Sequence, residues 1–164
     1  MRRYAVAFTG PSGSGKTTLI ANIAQKLIKI KEVAIIKHDP KDKAVFDTEG
    51  KDSYIFSQTG AEVVVLSPKK TTYFSKREKN IDEVISMLGH FDILLVEGLK
   101  TLPLPRIAIF RNKIDESYLG FSEAIAIDDT INTKEYNIPP EIDILNLNDT
   151  DNVIKWIEKK AKRV

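Results

Sequence analysis

A glycine-rich segment near the start of the chain has the residue types needed to bind phosphate. It consists of Gly10, Pro11, Ser12, Gly13, Ser14, Gly15, Lys16, Thr17 and Thr18, the spacing of the Walker A motif or P-loop. Glycines allow positive φ angles and a close approach of backbone N–H groups to an anion. The lysine would reach the β- and γ-phosphates, and the hydroxyl of Thr17 would hold Mg²⁺. The segment therefore predicts a site for nucleotide phosphates.

The sequence on both sides of this segment supports that interpretation. The apolar run Tyr4–Phe8 predicts a strand before it, and the residues after it repeat with helical spacing: Leu19, Ile20, Ile23, Ala24, Leu27 and Ile28. The free amides at the start of such a helix face a bound anion. A glycine-rich turn that contains a lysine by chance is the alternative, and the flanking elements favour phosphate binding over it.

A P-loop site also needs a carboxylate from the end of a neighbouring strand, to hold Mg²⁺ or its water. Glu97 fits, because it directly follows the apolar run Ile93–Val96 and is followed by Gly98, which indicates a close backbone approach. The alternative for Glu97 is a solvated strand end. Asp39, after another predicted strand, is a competing or additional metal ligand. The sequence thus predicts Lys16, Thr17 and Glu97 as catalytic residues, with Thr17, Glu97 and Asp39 as metal ligands.

The rest of the chain alternates strand-like and helix-like patterns. Further strands are predicted at Val33–Lys37, Val63–Ser67, Ile107–Phe110, Ala124–Ile127 and Ile142–Leu145, with Thr71–Phe74 as an edge strand or hairpin arm. The continuous apolar runs at 33–37 and 63–67 indicate strands buried on both faces of a sheet. This alternation predicts an α/β fold, a doubly wound and mostly parallel sheet with helices on both faces and an extra β-hairpin.

Three more helices are predicted. One spans Lys51–Thr59, a second starts at Asn80 with the capping-box residue Glu83, and a third runs from about Asp149 to Lys162. The charged segment between Lys41 and Ser53 is long for a simple connection, and such loops are usually functional. We expect one nucleotide-binding domain over residues 1–164.

Composition excludes several classes of protein. The 164-residue chain has no cysteine, which rules out disulfides, thiolate zinc sites and cysteine nucleophiles. Its net charge is only +2 and its basic residues are scattered, so nucleic-acid binding is not expected. The basic run Lys159–Arg163 suits a helix C-terminus, with a nucleic-acid tail as the alternative. No stretch reaches membrane-spanning length and the first apolar run is too short for a signal peptide, so we expect a cytoplasmic protein.

Several blocks together resemble one family, the molybdopterin-guanine dinucleotide biosynthesis protein B (MobB) family of P-loop proteins. They are the P-loop with Leu19, Ile36–His38, Phe46-Asp47, Gly50–Ser53, Gly60-Ala61, Leu94–Lys100, Pro105–Ile107 and Arg111. The resemblance implies GTP binding with Mg²⁺, slow GTP hydrolysis and a homodimer. It also implies partnership with the guanylyltransferase MobA, which attaches GMP to molybdopterin.

This chain departs from the family pattern in two places. Family members often have a histidine-rich stretch where it has Asp39–Lys43, and many have phenylalanine at the position of Leu99. The segment Asn112–Asp115 has the N-K-x-D form that reads guanine in many GTPases, but it is short and is not one of the family's blocks. Asp128-Asp129, after the predicted strand Ala124–Ile127, is a second candidate for the base side.

Polar residues near the predicted strand ends could bind a second phosphorylated ligand, such as a pterin phosphate. They are His38, Asp47, Lys51, Asp52, Ser53, Lys100 and Arg111. Fixed positive charge from the two lysines and the arginine would suit such a ligand. As isolated surface cations these residues would have no special role.

Three functions are compatible with the sequence. The first is a weak GTPase that acts as an adapter in molybdenum cofactor guanylylation, in which an arginine from a partner could accelerate hydrolysis. The second is a small-molecule kinase that holds its acceptor in the 41–53 loop, although the chain is poor in the arginines that kinases use in a lid. The third is a non-catalytic switch ordered by nucleotide.

Overall fold

The computed structural model describes residues 3–164, which form two compact units. The first unit comprises the described residues up to His38 together with His90–Val164, and the second comprises Asp39–Gly89. Within residues 3–164, no helix combines the length and the apolar character needed to cross a lipid bilayer.

Strands and helices alternate along most of the chain, as predicted. The strands are β1 (Tyr4–Thr9), β2 (Val33–Lys37), β3 (Val63–Ser67), β4 (Lys70–Phe74), β5 (Ile93–Glu97), β6 (Arg106–Phe110), β7 (Ala124–Ile127), β8 (Asp143–Asn146) and β9 (Lys162–Arg163). The α-helices are α1 (Lys16–Leu27), α2 (Asp52–Gln58), α3 (Ile81–Met87) and α4 (Thr150–Lys160), and short 3₁₀ helices span Glu116–Phe121 and Thr133–Glu135.

The first unit is built on a seven-stranded sheet in the order β2-β5-β1-β6-β7-β8, with β9 beside β1. All the pairings along this order are parallel, and β9 alone runs antiparallel to its neighbour. The chain leaves β1 toward β2 and β5 on one side and toward β6 to β8 on the other. In such sheets ligands bind where the strand order reverses, at the carboxyl ends of the strands. The predicted mostly parallel α/β sheet is confirmed.

Apolar residues that alternate along the strands build a core on each face of this sheet. On one face, Val6 and Phe8 of β1 pack in a cluster with the apolar stripe of α1 and with Val153 and Trp156 of α4. On the other face, Phe110 lies in a second cluster with Ile125 of β7 and with residues of the loops and of the first 3₁₀ helix. All residues of β1 after Tyr4 are buried, which gives the segment that follows this strand a rigid base.

Strand β2 differs from the prediction for its apolar run. It lies at the edge of the sheet and pairs with β5, and Ile35 is 48% exposed. The prediction of a strand buried on both faces was therefore wrong here. An apolar run indicates a strand, but its place within the sheet depends on which other strands pair with it.

The second unit contains the β3–β4 hairpin with helices α2 and α3. The hairpin confirms the arm predicted at 71–74 and is antiparallel, with Val63 opposite Phe74. The prediction that 63–67 forms a buried strand was wrong, because Val64 and Leu66 are 58% and 80% exposed. The predicted capping box of α3 is confirmed, since the side chain of Asn80 accepts from the N–H of Glu83 at 3.0 Å and the carboxylate of Glu83 accepts from the N–H of Asn80 at 2.8 Å.

Candidate functional site

Four adjacent parallel strands end at the same edge of the first unit and surround one cavity. The P-loop follows β1, Lys37 and Glu97 end β2 and β5, and Arg111 follows β6. The cavity has a volume of about 440 Å³ and is lined by Ser12, Gly13, Gly15, Lys16, Thr17, Thr18, Lys37, Glu97 and Arg111. Residues far apart in sequence thus meet beside the predicted phosphate site.

The P-loop backbone needs glycine at its first position. Gly10 has a φ angle of 142°, and a Cβ there would lie 2.4 Å from the carbonyl oxygen of Ile109 in β6. Side chains rarely adopt such an angle, and the opposing atom belongs to the backbone of a buried strand. Glycine at position 10 therefore lets the loop leave β1 directly against β6.

Helix α1 begins at Lys16, after Gly15 in the left-handed conformation. Within the described chain, no side chain caps the first amides of this helix, and its first turn contains no acidic residue. Amides at a helix start carry partial positive charge and attract anions. The start of α1 is therefore suited to phosphate, as the motif predicts.

The ammonium of Lys16 lies over the loop that precedes it. Its Nζ donates to the carbonyl oxygens of Gly10 at 2.8 Å and of Pro11 at 2.7 Å. The pKa of Lys16 is below its usual value, mainly because the ammonium is partly buried. The nearby carboxylate of Glu97 opposes this shift, and the charge of Lys37 adds to it. The lysine is therefore in place beside the cavity, where a phosphate would favour its charged form.

Glu97 and Lys37 form an ion pair at the edge of the cavity. They face each other in the parallel register of β5 and β2, with 2.8 Å between Lys37 Nζ and Glu97 Oε2. The side chain of Glu97 is 18% exposed. Lys37 was missing from the predicted site residues. Its position at the end of an apolar run is the signal that could have identified it, because the ends of adjacent parallel strands meet.

The turn after Glu97 is held by a buried arginine. Gly98 has a φ angle of 88°, and a Cβ there would lie 3.0 Å from the Cβ of His38. The guanidinium of Arg106, 1% exposed, donates to the carbonyl oxygens of Gly98 and Leu99 at 2.8 Å each. Burial lowers the pKa of Arg106. Arg106 therefore fixes the backbone next to Glu97, a role that the sequence alone did not indicate.

We predict that Arg106→Met destabilises the protein by about 3 kcal/mol, because two partly buried carbonyl groups lose a charged donor that is itself buried. Chemical denaturation measures this change. Arg163→Met is the control, since Arg163 is exposed and its loss should change the free energy of unfolding by less than about 0.5 kcal/mol. Equal stability of the two variants would show that Arg106 does not hold this turn.

The predicted metal ligands are distributed between the two units. Thr17 and Glu97 line the cavity, whereas Asp39 belongs to the second unit, where its carboxylate accepts from the N–H groups of Lys43 and Ala44 at 2.7 Å each. In residues 3–164 there is no cluster of three or more histidine or acidic side chains able to hold an ion. Mg²⁺ commonly uses one or two protein ligands together with phosphate oxygens and water. Thr17 and Glu97 fit that mode.

The residues predicted for a second ligand have various local contacts. Arg111 lines the cavity, and the ammonium of Lys100 lies 4.3 Å from the ring centroid of Tyr118. His38 donates its backbone N–H to the carbonyl of Glu97. The others lie in the second unit: Asp47, which accepts from Ser53 Oγ at 3.0 Å, Lys51 and Asp52 at the start of α2, and Ser53. These local contacts order the loop and the start of α2 within that unit.

The two base-side candidates follow adjacent strands. In the N-K-x-D segment, Asp115 caps a 3₁₀ helix, and its hydrogen bonds from the side chain and the N–H of Ser117 hold its pKa below the usual value. Asp128 and Asp129, after β7, line a cavity with Asn146 and Asn148. Strand β6, which leads to the N-K-x-D segment, is adjacent to β1, and β7 is the next strand outward.

A parallel sheet, a glycine-rich loop between β1 and α1, and a carboxylate at the end of the adjacent β5 together define a P-loop NTPase. Within that class, the chain belongs to the MobB family, "Molybdopterin guanine dinucleotide synthesis protein B", whose sequence model matches residues 5–128. The resemblance found in the sequence is confirmed.

Individual relatives agree with this assignment. A protein of Methanocaldococcus jannaschii described as a "Putative molybdopterin-guanine dinucleotide biosynthesis adapter protein" is 31% identical over 95% of the chain, although the chain spans only 61% of that relative. An adapter protein of Haemophilus influenzae with the same described role is 30% identical, with 93% of this chain and 86% of the relative covered. The crystal structure of Bacillus subtilis MobB shares the fold, with a TM-score of 0.76, 23% identity and coverage of 97% and 98% of the two chains.

Proposed function

We propose that this chain binds GTP with Mg²⁺ at the P-loop cavity, hydrolyses it slowly, and acts as an adapter in the guanylylation of molybdopterin. The observation that carries the proposal is the meeting of the P-loop, Lys16, Thr17 and Glu97 around one cavity at the strand ends. The names of the relatives, which describe adapters in the synthesis of molybdopterin guanine dinucleotide, support the pathway and the choice of a guanine nucleotide.

The proposed reaction is the attack of water on the γ-phosphorus. A bond forms from the water oxygen to phosphorus, the bond from phosphorus to the β–γ bridging oxygen breaks, and GDP, inorganic phosphate and a proton are released. Lys16 and the amides of the P-loop would stabilise the charge on the phosphate oxygens. Thr17 and Glu97 would hold Mg²⁺, which neutralises charge on the β- and γ-oxygens when it is bound. The residues that line the cavity include no histidine and, apart from Glu97, no carboxylate to activate the water, so slow hydrolysis is expected.

The first test compares GTP and ATP by calorimetry, each with Mg²⁺. We expect GTP to bind at least about tenfold more tightly, a difference of about 1.4 kcal/mol that one or two base contacts can supply. Asp115→Ala and Asp129→Ala then identify the base reader, since only its loss should reduce the preference for GTP. Equal or tighter binding of ATP would overturn the guanine assignment and favour the kinase alternative, for which phosphate acceptors should be screened.

We predict that Glu97→Gln removes most of the effect of Mg²⁺ on GTP affinity. The amide keeps the size of the side chain but lacks the charge that a hard cation prefers. Titration of GTP with and without Mg²⁺ should show an enhancement in the wild type that falls by roughly tenfold in the variant. Glu158→Gln is the control, because Glu158 pairs with Lys31 on the surface. An unchanged Mg²⁺ effect in Glu97→Gln would exclude Glu97 as a ligand.

The adapter role requires a partner, and we infer that this is a MobA-type guanylyltransferase. Formation of molybdopterin guanine dinucleotide by that enzyme should increase when this chain and GTP are added together. We also propose that the protein is cytoplasmic and that it forms a homodimer. The exposed apolar side chain of Ile35 on the edge strand β2 supports the dimer. Light scattering measures the oligomeric state directly. Direct contact of a molybdopterin phosphate with the second-ligand residues stays a prediction, and titration with the pterin would test it.

A further inference from the structure

Arg111 differs from the other two cations that line the cavity, Lys16 and Lys37, in where its partner lies. Lys16 is held by two carbonyl oxygens of the P-loop and Lys37 by Glu97, whose carboxylate lines the same cavity. The partner of Arg111 is Asp128, which follows β7 and lines the neighbouring cavity, with 3.4 Å between Arg111 Nε and Asp128 Oδ2. Arg111 therefore adds positive charge to the phosphate cavity, whereas the carboxylate that pairs with it, Asp128, lines a different cavity.

The guanidinium lies against the start of α1. A Cβ on Gly15 would be 3.4 Å from Nε of Arg111 and 3.6 Å from Nη2, so the guanidinium packs against the position that caps the helix. The amides at the start of α1 and the guanidinium thus both place positive charge beside the phosphate cavity. Arginine has five N–H donors, and an interaction at Nε leaves the terminal nitrogens to contact an anion.

A hydrogen-bonded network fixes this position. Asp128 Oδ1 accepts from the N–H of Thr130 at 3.2 Å and from its hydroxyl. The hydroxyl of Thr130 in turn accepts from the N–H of Asn112 at 2.8 Å, the residue next to Arg111, which has a positive φ angle of 64°. The loops after β6 and β7 are thereby tied together. Hydrogen bonds from Thr130 and the charge of Arg111 lower the pKa of Asp128, which keeps this carboxylate charged.

A purely structural ion pair is the simpler explanation for this arrangement. However, the side chain of Arg111 is 43% exposed, and ion pairs with such exposure contribute little to stability. The side chain of Asp128 is only 9% exposed and is held by Thr130, so the anchor is more rigid than a surface pair requires. A rigid anchor is useful when the arginine must be oriented for a ligand.

We propose that Arg111 is a phosphate-binding residue of the nucleotide site, supplied by the same chain, and that Asp128, held by Thr130, is the residue that positions it. This inference rests on the proposed binding of GTP and extends it. It assigns Arg111 to the phosphates of the nucleotide itself and not to a second phosphorylated ligand.

The experiment measures the binding of GTP and of inorganic tripolyphosphate, both with Mg²⁺, by calorimetry. The variants are Arg111→Gln, Arg111→Lys, Asp128→Asn and the double variant of the first and third, with the exposed Arg163→Gln as the charge-matched control. Arg111→Gln should weaken both probes by roughly 10- to 100-fold, the effect of losing charged hydrogen bonds. Arg111→Lys should lose most of this affinity too, because an ammonium lacks the planar fork. Arg163→Gln should bind both probes like the wild type.

The positioning role has its own readout. Asp128→Asn should weaken both probes in the wild-type background and have no further effect when Arg111 is already glutamine, because residues that act as a unit are not additive. A general structural role of Asp128 would instead reduce affinity in both backgrounds. That result would remove Asp128 from the proposal.

The outcomes also separate this inference from the proposed function. If the wild type binds neither probe, the proposed nucleotide site itself is wrong. If the wild type binds GTP and both Arg111 variants bind it equally well, only the inference about Arg111 is overturned. A loss confined to GTP, with tripolyphosphate binding unchanged, would also overturn it, because Arg111 would then act on the base or the ribose.

Discussion

Replacing Lys16 by alanine is expected to weaken GTP binding by at least about 100-fold, equivalent to about 2.7 kcal/mol. The ammonium lies beside the cavity and is already held over the P-loop by the carbonyl groups of Gly10 and Pro11. A bound phosphate would add an anionic acceptor for this ammonium, so that both donor and acceptor carry charge, and such bonds are among the strongest in proteins. Calorimetry with GTP and Mg²⁺ measures the loss.

The matched control for this substitution lies on the same helix. Lys26 is at the other end of α1 and pairs with Asp151 on the surface, and its side chain is 47% exposed. Lys26→Ala should leave GTP binding unchanged. Lys16→Ala also loses two hydrogen bonds to backbone carbonyls, worth about 1 kcal/mol each at a partly exposed site. Thermal unfolding of both variants therefore checks that each is folded at the temperature of the titration. Retained GTP affinity in Lys16→Ala would show that nucleotide does not bind at the P-loop.

Gly10→Ala should cause the largest loss of stability among single substitutions in the P-loop, about 4 kcal/mol. Two effects combine there. The φ angle of 142° is one that only glycine adopts easily, and the added Cβ would lie 2.4 Å from the carbonyl oxygen of Ile109. The fully buried strand β6 cannot move away without disturbing both cores. Chemical denaturation measures the change in free energy of unfolding.

Gly13→Ala separates the effect of the clash from the effect of the backbone angle. Gly13 also has a positive φ angle, 75°, but within residues 3–164 no atom outside its two chain neighbours lies within 4 Å of the position its Cβ would occupy. Alanine there should cost only about 1 kcal/mol, the strain of a left-handed residue. If the two alanine variants lost equal stability, the close approach to β6 would not be what requires glycine at position 10.

The local elements of this protein follow from short sequence patterns. The P-loop, the helix after it, the capping box at Asn80 and the hairpin arm at 71–74 were all predicted from residues within one turn or one strand of each other. Such features depend on local backbone preferences and on the spacing of apolar residues, which the sequence displays directly. The position of Glu97 at the end of a buried strand belongs to the same group.

Burial was harder to predict than the elements themselves. The runs 33–37 and 63–67 are both rich in β-branched residues, yet β2 is an edge strand and β3 forms an exposed hairpin. Strand propensity reflects the fit of a side chain to a pleated surface, and the same residues suit central, edge and isolated strands. Only the pairing of strands distant in sequence decides between these environments.

The amino-acid sequence by itself therefore determined the class of site, through the P-loop, its helix and the carboxylate of Glu97, because these depend on residue types at fixed local spacing. The tertiary structure alone decided which distant residues join that site. Lys37 faces Glu97 because β2 and β5 pair in parallel register, and Arg106 reaches the carbonyl groups beside Glu97 from a strand that follows later in the chain. Arg111 meets Gly15 and Asp128 because β6 lies between β1 and β7. Strand order places these side chains together, and strand order is set by long-range packing, which no local pattern encodes.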